Sequence, residues 1–221
     1  TLATTSGDGS SNSLFTLDSA LNLTGAGGEK LGTLKDLFAQ SSRLTVPVVR
    51  IKDQATVDAL VAFSENTHVL YDITFLSDNV DILLSARKQL PSIRTAVDFT
   101  SSGLDDSTAS LLKISGDTNR ARAKIAVLPA NLQKRAFVAH LQRLLVTVWA
   151  QSDAKTAEQA AQVLTTGANG VLADDSNVFA EVMRKLPANT LLRKPLITGH
   201  RGMPAGGQFD ENTLEGSKAA V

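Results

Sequence analysis

The stretch "LVTVWAQSDAKTAEQAAQVLTTGANGVLAD", residues 145–174, decides the class of fold. It opens on a short apolar run, 145–150, whose Leu, Val and Trp suit an extended, buried strand. A helical pattern follows a polar cap and stops at Gly167, the residue type that ends helices by taking a left-handed backbone. A second apolar run, "GVLAD" (170–174), comes directly after. Strand, helix and strand joined by connections this short form a βαβ unit, and such units build parallel sheets.

Outward from this unit the alternation repeats. The runs "LFTLD" (14–18), "VPVVRIK" (46–52), "HVLYDIT" (68–74), "IRTAVDF" (93–99), "AKIAVL" (123–128) and "PLITGH" (195–200) bring the candidate strands to eight. Most are nearly continuous in Val, Ile and Leu, as strands covered on both faces are. "DQATVDALVAFSEN" sets Val57, Leu60, Val61 and Phe63 close to one helical face, with Asp53 as the cap. "SDNVDILLSARKQLP" starts at a Ser or Asp cap and stops before Pro91. The expected fold is therefore α/β, a barrel-like (β/α)8 arrangement of parallel strands alternating with helices, incomplete or permuted. Such barrels take ~250 residues, with ~200 as a floor, and a chain of 221 residues just reaches that size. An open doubly wound sheet is the alternative, because periodicity does not report closure. No Gly-x-Gly-x-x-Gly follows the first strand, and "TGAGGEKLG" (24–32) lacks the Gly-Lys-Thr/Ser ending of a phosphate loop, so a nucleotide fold loses ground.

Composition narrows the function classes. Lys plus Arg and Asp plus Glu each number 22, so there is no net field to draw nucleic acid or an anionic membrane surface. No apolar run approaches the ~20 residues of a membrane-spanning helix. The absence of Cys excludes disulfides, zinc thiolates and thiol nucleophiles, and it fits a surface or secreted bacterial protein. "TLATTSGDGSSNS" (1–13) is polar and without period, and is read as a flexible leader to a single domain over 14–221. With no initiator Met and no signal segment, the chain reads as trimmed or processed.

In a (β/α) barrel chemistry sits where strands end and loops begin. His200 and Arg201 leave the apolar run "PLIT" at such a point, between Gly199 and Gly202. A guanidinium can fork two phosphate oxygens, and an imidazole carries a proton near neutral pH. "DENTLEGSKAAV" then begins a helix with Asn212 or Thr213 as its cap. His68 and His140 read as structural or solvated. Asp18, Asp72, Asp98 and Asp174 end or interrupt strands; carboxylates there can ligate a metal, but capping and turn formation are their commoner use. The Asp pairs at 105–106 and 174–175 fit capping better than acid/base catalysis.

His-Arg-Gly at 200–202 with Glu-Asn-Thr at 211–213 resembles the opening of the glycerophosphodiester phosphodiesterase family, with Asp210 where that family has Pro. "VTVWAQSDAKTAEQAAQVLTTGANGVLADDSNVFAEVM" (146–183) is similar to the family's closing unit, with Trp149, Asp153, Gly167, Gly170 and Asp174 at the matching positions. "TLKDLFAQSSRLTVPVVRIKD" is similar to the region around its Glu-Ile-Lys strand. The order is that of closing units first and opening strand last. Two arrangements fit: a tandem protein in which one barrel-like unit precedes the opening strand of the next, or a permuted barrel. The tandem arrangement is preferred.

The resemblance implies hydrolysis of glycerophosphodiesters, a small-molecule phosphodiester substrate, and Ca²⁺ or Mg²⁺ holding the phosphate. It implies His200 as general acid/base, Arg201 as phosphate clamp, Lys52, Trp149 and Asn212 as substrate contacts, and Glu211 on the metal side. The chain departs from the family at Arg50, which stands where a metal-binding Glu is expected, so a carboxylate that should hold a cation is itself a cation. Neither a Glu-x-Asp strand nor a His-Asp pair occurs. These departures imply that the isolated chain lacks a full site. The competing expectation is a non-catalytic, barrel-shaped accessory or binding module.

Overall fold

The computed structural model describes residues 12–39, 46–66, 73–193, 210 and 212–219. Its strands are β1 (Asn12–Leu17), β2 (Asn22–Thr24), β3 (Lys30–Thr33), β4 (Val46–Arg50), β5 (Thr74–Ser77), β6 (Arg94–Asp98), β7 (Ile125–Leu128), β8 (Thr147–Ser152) and β9 (Gly170–Ala173). Its helices are α1 (Leu34–Ala39), α2 (Gln54–Asn66), α3 (Val80–Gln89), α4 (Thr108–Arg120), α5 (Arg135–Arg143), α6 (Ala157–Leu164), α7 (Asn177–Lys185) and α8 (Leu214–Ala219). The nine strands form one sheet in the order β3-β2-β1-β4-β5-β6-β7-β8-β9.

From β1 through β9 the seven neighbouring strands are all parallel. From β4 onward each strand is added beside its predecessor, after a helix, in a single direction. A doubly wound sheet reverses that progression at a switch point; this one does not. The two faces agree with a barrel. One carries the main core, where Val49, Ile51, Phe75, Val97, Phe99, Leu128 and Val148 pack against helical residues such as Val57, Leu60, Leu83, Ile114 and Leu141. The other carries a small cluster contributed by strands alone: Leu14, Val48, Leu76, Ala96, Ile125, Val127, Trp149 and Leu172. Helices cover the outside and the strands' own side chains fill the inside, which makes the fold an incomplete (β/α) barrel. The hairpin β2–β3 is antiparallel, and β2 occupies the edge of β1 to which the last strand of a closed barrel would pair.

Local chemistry places most boundaries. Asp53 caps α2 by accepting from the Thr56 N–H at 2.8 Å, and the Val57–Leu60 face behind it is fully buried. Each such side chain contributes about 1.5–3 kcal/mol relative to exposure. Asn79, rather than the Ser or Asp before it, caps α3, accepting from the Asp81 and Ile82 amides. Thr156 and Gln159 form a capping box at α6, and Gly167 ends that unit at φ +81. The strand expected over 68–74 instead begins at Thr74 and runs to Ser77, held by parallel pairing to β4 and β6; residues 67–72 lie outside the described set. β1 starts at Asn12, two residues ahead of the expected boundary. The hairpin β2–β3 had no counterpart among the expected strands, and the run 195–200 lies outside the described residues.

Candidate functional site at the inner strand ends

Side-chain alternation fixes what faces the barrel interior. Val48 lies in the inner cluster, so Arg50, two residues on, shares its face, and Thr16 is its register partner on β1. On β6 the same alternation takes Ala96 to Asp98. Both residues stand at the C-terminal ends of their strands, the end where parallel barrels carry their chemistry. They meet across β5: Arg50 Nη2 donates to Asp98 Oδ2 at 2.7 Å. The Asp98 side chain is 7% exposed and that of Arg50 34%. The other oxygen, Asp98 Oδ1, accepts from the Thr100 amide at 3.0 Å and the Thr100 hydroxyl at 2.6 Å. Both oxygens of this buried carboxylate are thus hydrogen-bonded, as a buried charge requires.

Two expected substrate contacts lie in or just beyond strands of the same sheet. Lys52 lies two residues beyond β4, exposed, with no ion-pair or hydrogen-bond partner among the described residues. Trp149 is on the inner face of β8, half-buried in the inner cluster, in register with Val127 on one side and Gly170 on the other. A Cβ on Gly170 would lie 3.0 Å from Trp149 Cδ1 and 3.2 Å from Nε1, so the bare glycine backbone is what lets the indole lie there. Asn212 takes φ 61 just ahead of α8, and Thr213 provides the cap, its hydroxyl accepting from the Gly216 amide at 3.1 Å. His200, Arg201 and Glu211 lie outside the described residues, as do His68 and Asp72. His140 is exposed on α5.

Several other carboxylates beyond the strands have partners of their own. Asp18 binds the Asn22 amide at 2.9 Å and the Ala20 amide at 3.0 Å, and the Asn22 side chain is the chief reason its pKa lies below the usual 3.8. Asp105 accepts from the hydroxyls of Ser107 and Ser110, which hold its pKa at about 2. Asp106 pairs with Lys134, and Asp175 binds the Asn177 amide at 3.0 Å. Among the described residues no three His, Asp or Glu side chains converge as a metal set. The described rim therefore does not fit the divalent ion implied by the resemblance: a permanent cation occupies the expected ligand position and is bonded to the nearest buried carboxylate. Sequence reasoning flagged Arg50 as a departure but did not find its partner. Asp98 is 48 residues away, and its place at the end of a strand is shared by several turn-forming aspartates.

The fold and its rim define the class, an incomplete parallel (β/α) barrel with a polar cluster at its inner strand ends. Solved structures of the same shape make this more particular. A glycerophosphodiester phosphodiesterase from Parabacteroides distasonis superposes with a TM-score of 0.58 at 12% identity, over 80% of this chain and 83% of that one. The enzyme from Agrobacterium tumefaciens gives 0.55 at 11% identity, over 79% and 88%. A phosphodiesterase from Oleispira antarctica, solved with its product sn-glycerol-3-phosphate, gives 0.56 at 12% identity, over 79% and 84%. The chain has a glycerophosphodiester phosphodiesterase-like fold. No family model and no curated protein sequence matches it.

Proposed function

We propose that this chain is a phosphodiesterase-type barrel unit of a protein that hydrolyses glycerophosphodiesters, and that the unit over residues 12–193 does not hydrolyse them by itself. The fold likeness supports the substrate class, and the product complex of one neighbour supports a small phosphate ester as the ligand. The observation that carries the second clause is the Arg50–Asp98 pair, which fills the inner rim where the resemblance expects a metal carboxylate.

In this reading the reaction is completed around the His-Arg-Gly segment of the parent protein. Water adds to phosphorus and the P–O bond to the alcohol breaks, with His200 giving a proton to the departing oxygen and regaining the one that the attacking water loses. Arg201 holds two phosphate oxygens through its fork. Lys52 and Trp149 belong to the barrel unit's own phosphate-ester contacts, and Glu211 with Asn212 to the next opening strand. A divalent ion, where the parent binds one, supplies charge to the phosphate oxygens. The same pair favours a second reading, a non-catalytic binding module, in which only recognition remains.

A coupled glycerol-phosphate release assay separates the two readings. Metal-dependent turnover by the parent protein, abolished by chelation and by His200→Ala, with none from the 221-residue chain, is the expected result. Turnover by the short chain sinks the proposal, and an inactive parent leaves the binding module standing.

A further inference from the structure

We infer that Arg50 takes over the anion-holding role of a metal ion, so that the inner rim of this barrel binds a small phosphate ester through Arg50, Lys52 and Trp149 without any divalent cation. The inference rests on the proposed substrate class but not on hydrolysis.

Arg50 carries five N–H donors, and among the described residues only Nη2 is engaged. Nε is buried without a partner, and no bond is made by Nη1. A third of the side chain is open to solvent. Asp98 aims the guanidinium: one oxygen holds Arg50 Nη2 while the other takes the Thr100 amide and hydroxyl. A planar guanidinium held on one side presents paired donors on the other, the arrangement suited to phosphate.

Shape agrees. Lys52 lies two residues beyond Arg50 and is exposed. Trp149 adds an apolar face for the alcohol portion of the ester, on the same inner surface. A bound divalent ion would meet the guanidinium as a like charge, so metal and Arg50 compete for one place.

Trp149 is the one tryptophan in the chain, so its emission reports on this surface. The 221-residue chain is titrated with glycerophosphocholine in EDTA, following fluorescence and binding heat, then again with Ca²⁺ or Mg²⁺. Saturable binding in EDTA is expected, unchanged within about twofold by metal. It should be at least about tenfold weaker in Arg50→Met, the loss of one charge-assisted hydrogen bond. Lys52→Met, at an exposed position, should weaken it in the same direction without changing the melting temperature, which covers the case of a destabilised Arg50 variant. Binding that needs the metal, binding indifferent to both substitutions, or no binding in either buffer overturns the inference. None of these outcomes bears on the release assay, so the two proposals fail separately.

Discussion

Replacing Arg50 by Met leaves Asp98 buried with Thr100 as its remaining partner. The size of the loss follows from exposure. An ion pair on the surface contributes ~0–1 kcal/mol, whereas stranding one member of a fully buried pair costs about 3–5 kcal/mol. With side-chain exposures of 7% for Asp98 and 34% for Arg50, the pair lies between these limits, and about 2 kcal/mol is expected. For a domain of this length each kcal/mol moves the melting temperature by about 2–4 °C, so the variant should melt about 4–8 °C lower. Asp98→Asn should cost a similar amount, because the amide keeps the Thr100 contacts but loses the charge that Arg50 binds. The double variant should then be more stable than the sum of the single losses by at least about 1 kcal/mol, the mark of a direct interaction. Urea unfolding of the four proteins supplies the cycle. Single losses below about 0.5 kcal/mol, or losses that simply add, would show that the pair does not hold the inner rim together.

Three further outcomes follow from particular contacts. Gly170→Ala places a Cβ 3.0 Å from the Trp149 ring, so the indole must shift, and the emission maximum should change while the far-ultraviolet circular dichroism does not; an unchanged spectrum refutes the packing. Thr156→Ala removes the cap of α6 and one half of its box, and should cost about 1 kcal/mol in chemical unfolding, with a loss under ~0.3 kcal/mol counting against the cap. Asp105 is held at about 2, below its ordinary 3.8, by Ser107 first and then Ser110. A carboxylate lowered on folding adds stability above its unfolded pKa and loses it as pH falls through the folded value. Asp105→Asn should therefore flatten the decline in melting temperature between pH 4 and pH 2, and an unaltered slope would remove Asp105 from the acid response.

Much of the fold was legible in the residues. Runs of Val, Ile and Leu marked six of the seven parallel strands within a few positions, because a strand covered on both faces must be apolar throughout. Asp53, Thr213 and Gly167 marked helix ends, because caps are satisfied within three or four residues and need nothing from elsewhere in the chain. Most of "HVLYDIT" lies outside the described residues, and pairing with β4 and β6 fixes the described strand at Thr74–Ser77. The hairpin β2–β3 escaped notice because its strands, of 3 and 4 residues, are too short to carry a period.

What the sequence determined by itself was thus the alternation of parallel strands and capped helices, together with an arginine in an unexpected place. Tertiary structure alone decided that the strands advance in one direction around an incomplete barrel, since burial of a strand is the same whether helices lie on both sides or side chains fill one of them. It also decided the partner of Arg50. Two strand ends that are 48 residues apart in the chain meet only because parallel strands deliver all their C-termini to one rim, and no local pattern records which carboxylate waits across it.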